Sequence, residues 1–328
     1  MRRGRAAALI GCWILIALTP SEAATKKRKT PAKPSLKKPA VSVIRPPADD
    51  DKPRPGEAGK MPKQFRLLQP GEIPLSARGA IVIDGFTGAT LYEKNGYAPQ
   101  YPASTTKILT ALLVIEAGDL DREVLVTGED SKVGESSLSL RPGDRYTRRQ
   151  MLYGLMLKSA NDVAHSLGRD NAGTMEAFAL KMTQRARELG ATTSSFRNPH
   201  GLHHTEHYTS PHDLALITRH AMQQPLFRRI VGTLRFAWNR FAVPGATPEL
   251  WQLSNHNALL TRFEGCTGVK TGYTNPAQGT LVSAAMRDGR EVIACVMHDG
   301  RQEKWEDSML LLTHGLEHPP DGGTGDGN

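Results

Sequence analysis

Cysteine is scarce. The 328 residues hold three, too few for a disulfide-framework protein. Long apolar runs are short as well. The N-terminal stretch Ala6 to Thr19 covers 14 residues, below the roughly 18 that a spanning helix needs. Net charge is thin where a nucleic-acid binder would need it. Residues 1–66 carry 16 Lys/Arg against 5 Asp/Glu, a balance of +11, while residues 67–328 carry 26 against 28, a balance of −2. The formal charge of +9 therefore belongs to the N-terminal fifth, and no basic face is left for nucleic acid. No internal repeat is visible. At 39% hydrophobic and 23% charged, the chain as a whole is globular.

The N-terminus reads as an export signal over 1–23. Arg2, Arg3 and Arg5 precede the apolar stretch, and Ser21-Glu22-Ala23 gives a small-residue exit. An uncleaved anchor is one alternative, and lipidation at Leu9-Ile10-Gly11-Cys12 another. Behind such a signal, Lys26-Lys27-Arg28-Lys29 does not act as a nuclear address, because the segment leaves the cytoplasm. Residues 24–68 intersperse lysines with Pro31, Pro34, Pro39, Pro46, Pro47, Pro53, Pro55 and Pro62, and are expected to form a disordered basic tether. It reads first as a solvated spacer, with weak contact to an anionic membrane or wall surface as the alternative. The expected location is the periplasm or cell envelope.

Periodic sequence fills 69–318, ahead of a Gly- and Asp-rich tail at 319–328. Ala80 to Asp84 reads as a buried strand, turning through Gly85 to Gly88 into Thr90 to Lys94 as a hairpin. Pro102 opens a helix that is apolar nearly all round from Ile108 to Ile115, which places it inside the domain. Helical patterns follow at 147–158, 161–170, 174–189, 211–223 and 226–232. Strand-like runs return at 267–273, 279–287 and 291–298, and 302–316 reads as a closing helix. The order predicts one sheet built from both ends of the chain around a helical insert.

Three short patterns carry chemistry. Ser104-Thr105-Thr106-Lys107 opens the buried helix, where i and i+3 share a face, so hydroxyl and amine can meet. Burial or a second cation would lower the lysine pKa enough for it to act as a base. Ser159-Ala160-Asn161 lies between two helical segments, where a hydroxyl can relay a proton and an amide can hold a substrate amide. Lys270-Thr271-Gly272 lies in a strand, where a cation and a hydroxyl can meet a carboxylate. Its glycine is expected to let an extended peptide lie against the strand edge. Each pattern alone is weak, and S-x-x-K recurs without meaning at Ser35-Leu36-Lys37-Lys38 in the tether. Together and in this order they form the set of penicillin-binding proteins and class A β-lactamases.

From Leu75 to Leu316 the chain resembles the serine D-alanyl-D-alanine carboxypeptidases, the low-molecular-mass penicillin-binding proteins. Asn198-Pro199-His200-Gly201-Leu202, His207-Tyr208-Thr209-Ser210 with Asp213-Leu214-Ala215, Asn257-Ala258-Leu259-Leu260 and Gly268 to Thr274 are similar to that family's helix and loop signatures. The resemblance implies a mixed α/β (α+β) fold of the β-lactamase/transpeptidase type, an antiparallel five-stranded sheet flanked by helices. It implies Ser104 as acyl-forming nucleophile, Lys107 as its base and Ser159 as proton relay. Asn161 would hold Lys107 and the substrate amide. Lys270 and Thr271 would bind the terminal carboxylate, beside Gly272. The backbone N–H groups of Ser104 and Tyr273 would form the oxyanion hole. The implied partners are the peptidoglycan stem peptide ending in D-Ala-D-Ala and β-lactam antibiotics, with no cofactor, metal or nucleic acid.

The same motifs serve endopeptidases that cut D-Ala–diaminopimelate cross-links, so that alternative stays open. The larger carboxypeptidases of the family carry a second β-rich domain and a C-terminal amphipathic anchor, and the sequence is expected to lack both. A β-lactamase would need a glutamate to activate water, and Glu206 is the only acid in 196–209, in an unsuitable setting. A zinc peptidase would explain the crowding of His200, His203, His204, His207 and His212, but no H-E-x-x-H spacing is present. Cys266 and Cys295 are expected to be free thiols, because in the family sheet another strand separates them.

Overall fold

The computed structural model describes residues 73–240 and 249–318. The expected signal (1–23), tether (24–68) and tail (319–328) lie outside the described residues, as does Cys12. Two strands come first, β1 (Gly79–Asp84) and β2 (Thr90–Lys94). After a 3-10 turn at Ala103–Thr106 comes the buried helix α1 (Lys107–Glu116). A small hairpin, β3 (Glu123–Leu125) with β4 (Arg145–Thr147), precedes α2 (Arg148–Leu157), α3 (Asn161–Ala172), α4 (Met175–Glu188), α5 (Pro211–Met222) and α6 (Pro225–Val231). A second hairpin, β5 (Arg235–Arg240) with β6 (Glu249–Ser254), leads to the short α7 (Leu259–Arg262). The chain closes with β7 (Cys266–Thr274), β8 (Gln278–Arg287), β9 (Arg290–Asp299) and α8 (Glu303–Glu317).

The main sheet runs β2-β1-β9-β8-β7, antiparallel throughout. The pairing of β1 with β9 joins the two ends of the domain, as the order of elements predicts. Both faces of this sheet are covered. Ile81 and Ile83 point into a large core shared with α1 to α6, while Ala80 and Val82 point to a second core built with Trp305, Leu311 and Leu312 of α8. Burial on both faces is why β1 reads as an unbroken apolar run and not as an alternation. Hydroxyl caps start three of the helices: Thr147 accepts from Gln150 N, Thr174 from Ala177 N and Ser210 from Asp213 N.

The structure departs from the expected pattern in three places. The two hairpins β3–β4 and β5–β6 lie in stretches between the expected helices and strands, where the sequence reading assigns no element. The helix behind Pro102 begins as a 3-10 turn, and α1 proper starts at Lys107. A short helix, α7, sits where the Asn257-Ala258-Leu259-Leu260 signature falls. The cysteine expectation holds: β8 lies between β7 and β9, and both Cys266 and Cys295 are free. Burial raises both thiols, Cys266 to about 11. Among the described residues, no helix is long and apolar enough to cross a membrane.

Candidate active site

The 3-10 turn places Ser104 on the segment that joins Pro102 to α1. In a 3-10 turn residues i and i+3 eclipse, so Lys107 sits directly behind Ser104. Lys107 Nζ donates to Ser104 Oγ at 2.9 Å, to Asn161 Oδ1 at 2.7 Å and to the His200 carbonyl at 2.7 Å. The lysine is fully buried. Desolvation, and next the charge of Lys270, pull its pKa well below the ordinary lysine value, with Asp162 and Glu135 acting in the opposite sense. An amine so placed can exist neutral and accept the proton of the adjacent hydroxyl.

Each partner of Lys107 is itself held. Asn161 opens α3, donating its backbone N–H to Ser136 O at 2.7 Å and its Nδ2 to Gly134 O at 3.0 Å. That second bond orients the amide so that Oδ1 faces the lysine. The His200 carbonyl is set by a tight loop in which Gly201 N donates to Asn198 Oδ1 at 2.7 Å and Asn198 Nδ2 donates to Leu202 O at 2.9 Å. Gly201 has φ +86°, and a Cβ there would fall 1.8 Å from the Ala103 carbonyl oxygen. Glycine is required by both the conformation and the close approach.

On the opposite wall runs β7. Lys270 is 1% exposed and donates from Nζ to the Thr271 carbonyl at 2.8 Å. A Cβ at Gly272 would lie 2.3 Å from Thr280 Oγ1 and 2.9 Å from Ser104 N. The expected purpose of this glycine was room for a substrate strand. The structure gives it another: β7 can press against the Ser104 turn only without a side chain there. Tyr273 carries the Arg301 guanidinium 3.5 Å from its ring centroid.

Ser104, Ser159, Asn161, Thr271, Gly272 and Tyr273 line one cleft, with Lys107 and Lys270 buried beside it. Ser159 has φ 63°. All eight residues singled out from the sequence thus meet at one place. The cleft also takes in Glu135, Ser136, Leu202, His256 and Thr274, which the motifs did not single out. Leu202 and Thr274 stood within quoted signatures. Glu135, Ser136 and His256 sit on loops with no pattern that points to chemistry.

The histidines have separate employments. His207 accepts at Nδ1 from Arg197 N (3.0 Å), which leaves Nε2 2.9 Å from Thr106 Oγ1 as donor. Burial lowers His207 to about 3. His203 meets the Tyr101 ring edge-on, and His212 lies against Tyr97. Glu206 is exposed and pairs with Arg197 at 3.3 Å, away from the cleft.

The signature of the D-alanyl-D-alanine carboxypeptidase family matches residues 65–301. The chain belongs to this family. Its relatives include the D-alanyl-D-alanine carboxypeptidase DacF of Bacillus subtilis, 33% identical over 69% of this chain and 58% of that protein. The carboxypeptidase DacB2 of Mycobacterium tuberculosis is also 33% identical, over 79% of this chain and 90% of that one. The chain thus spans less than two thirds of the Bacillus relative. Among solved structures, the Streptomyces K15 DD-transpeptidase superposes with a TM-score of 0.72 at 30% identity, covering 75% of this chain and 99% of that one. The family's mixed α+β fold with a five-stranded antiparallel sheet is the one described above.

Proposed function

We propose that the chain is a serine DD-peptidase that removes the terminal D-Ala from peptidoglycan stem peptides. Neutral Lys107 takes the proton of Ser104 Oγ as that oxygen attacks the carbonyl of the penultimate D-Ala. The backbone N–H groups of Ser104 and Tyr273 receive the developing oxyanion, where one donor is typically worth about 2.7–4 kcal/mol. Ser159 passes a proton to the departing amine, and D-Ala leaves while the acyl chain stays on Ser104. Asn161 holds Lys107 and the acyl-side amide, and Lys270 with Thr271 receives the terminal carboxylate. Water then adds to the ester and releases the shortened peptide. β-Lactams enter the first half of this cycle as acylating agents.

The observation that carries this reading is the buried Lys107 amine 2.9 Å from Ser104 Oγ, held by Asn161. Purified muropeptides test it. The expected outcome is loss of one D-Ala from monomers with cross-linked dimers left intact. Conversion of dimers to monomers would instead make the enzyme an endopeptidase. The envelope location common to the family favours export by a signal at 1–23 and a basic tether at 24–68 leading to the domain. The intact mass of the exported protein reads whether the chain is cut after Ala23.

A further inference from the structure

Among the described residues that line the cleft, Glu135 carries the one carboxylate. It has φ 64°, a conformation that residues other than glycine, asparagine and aspartate rarely adopt. Both of its neighbours are tied to Asn161: the Gly134 carbonyl accepts from Asn161 Nδ2 at 3.0 Å, and the Ser136 carbonyl accepts from Asn161 N at 2.7 Å. Ser136 Oγ also donates to the Lys158 carbonyl at 2.9 Å. The following turn hangs on the buried Asp162, which accepts from Ser137 Oγ at 2.6 Å and from the amides of Leu138 and Leu140. The backbone of Glu135 is therefore clamped beside Asn161 while its side chain stays exposed at the cleft. The nearest basic residue in sequence, Lys132, is paired with Glu129 instead. The charge of Glu135 is close enough to act on Lys107.

We propose that Glu135 is a specificity-determining residue that selects acyl-donor peptides with a free side-chain ammonium on the residue before the D-Ala pair. Such a peptide is a stem whose diamino acid has not been acylated. This rests on the DD-peptidase reading above, in which Asn161 holds the amide of the acyl segment. A peptide extended along β7 presents successive side chains to alternate sides. The wall facing β7 carries Asn161 with Glu135 clamped next to it, so the acyl-side residue meets a carboxylate. The cation on the opposite wall, Lys270, suits a carboxylate end and not an ammonium group, and Lys107 works as a neutral amine. Acylating the substrate amine removes its charge and leaves Glu135 without a partner, so discrimination comes from both sides of the comparison.

The test compares Nα-acetyl-Lys-D-Ala-D-Ala with Nα,Nε-diacetyl-Lys-D-Ala-D-Ala as substrates for the full chain, with D-Ala release as readout. Wild type is expected to favour the free amine by about fivefold in kcat/KM at low salt, the scale of a partly exposed ion pair, with the ratio shrinking as salt screens the pair. In Glu135→Gln and Glu135→Gly the ratio is expected to fall to about one. The glycine variant accepts the left-handed backbone freely, so loss of folding does not cloud the result. A wild-type ratio near one, or a preference that persists in both variants, overturns the selection. If penicillin still labels Ser104 in that case, the DD-peptidase reading stands without it. Absence of both labelling and turnover overturns both.

Discussion

In the proposed mechanism Lys107 must lose a proton near neutral pH for Ser104 to act, and its surroundings decide whether it can. Burial is the largest influence on its pKa and the Lys270 cation the next, both downward. Asp162 pulls upward, but its oxygens are engaged by Ser137, Leu138 and Leu140. The rate of acylation by a β-lactam should therefore rise with pH as Lys107 deprotonates, and level off below the ordinary lysine pKa. Lys270→Gln removes a neighbouring cation, which makes the protonated amine easier to keep and raises the Lys107 pKa. The rising limb of the pH–rate profile is then expected to move to higher pH. A limb that stays in place or moves down would remove Lys270 from the tuning of Lys107. At this scale the pairing of Ser104 with Lys107 was legible, because i,i+3 spacing brings residues together in either an α or a 3-10 turn. The role of Gly272 was not, since a close approach between distant segments leaves no local trace.

The elements around the site act as a vice on the turn at Ala103–Ser104. One jaw is the loop with Gly201, the other is β7 with Gly272, and a Cβ on either would collide with the turn. Gly201→Ala places a methyl 1.8 Å from the Ala103 carbonyl oxygen and forces φ +86° on a residue with a side chain. Displacement by about 1 Å at a reacting centre costs on the order of a hundredfold in rate. Gly201→Ala is accordingly expected to lower penicillin acylation by about that factor and to depress Tm, read by stopped-flow and by thermal melts. A variant with wild-type acylation would show that the loop yields and does not position Ser104. The long helices and the strands β7 to β9 were readable from periodicity and turn residues. The hairpins β3–β4 and β5–β6 were not. In the first, each strand is three residues long, too short for an alternation to register. In the second, Arg235, Asn239 and Arg240 surround the apolar positions, so the run does not read as a buried strand.

The molecule as a whole separates its charge from its chemistry. The excess of +11 lies in residues 1–66, and the remainder is near neutral. In the proposed function, anion recognition in the described domain rests on a few placed groups, chiefly Lys270 and Thr271, and not on a basic surface. The sheet draws on both ends of the domain and is packed on both faces, with β7 at its edge facing the Ser104 turn. β1, β8 and β9 were readable in the sequence because strands buried on both faces keep largely apolar runs, whereas the loop carrying Glu135 and Ser136 is held by hydrogen bonds to Asn161 and Asp162 that no sequence pattern marks. The most direct measurement of the catalytic claim is mass spectrometry of the intact protein after brief exposure to penicillin, followed by peptide mapping. The expected result is one penicilloyl group per chain, located on the peptide containing Ser104 and absent from Ser104→Ala. An adduct that persists in Ser104→Ala, or no adduct on the folded wild type, would contradict a Ser104 acyl-enzyme.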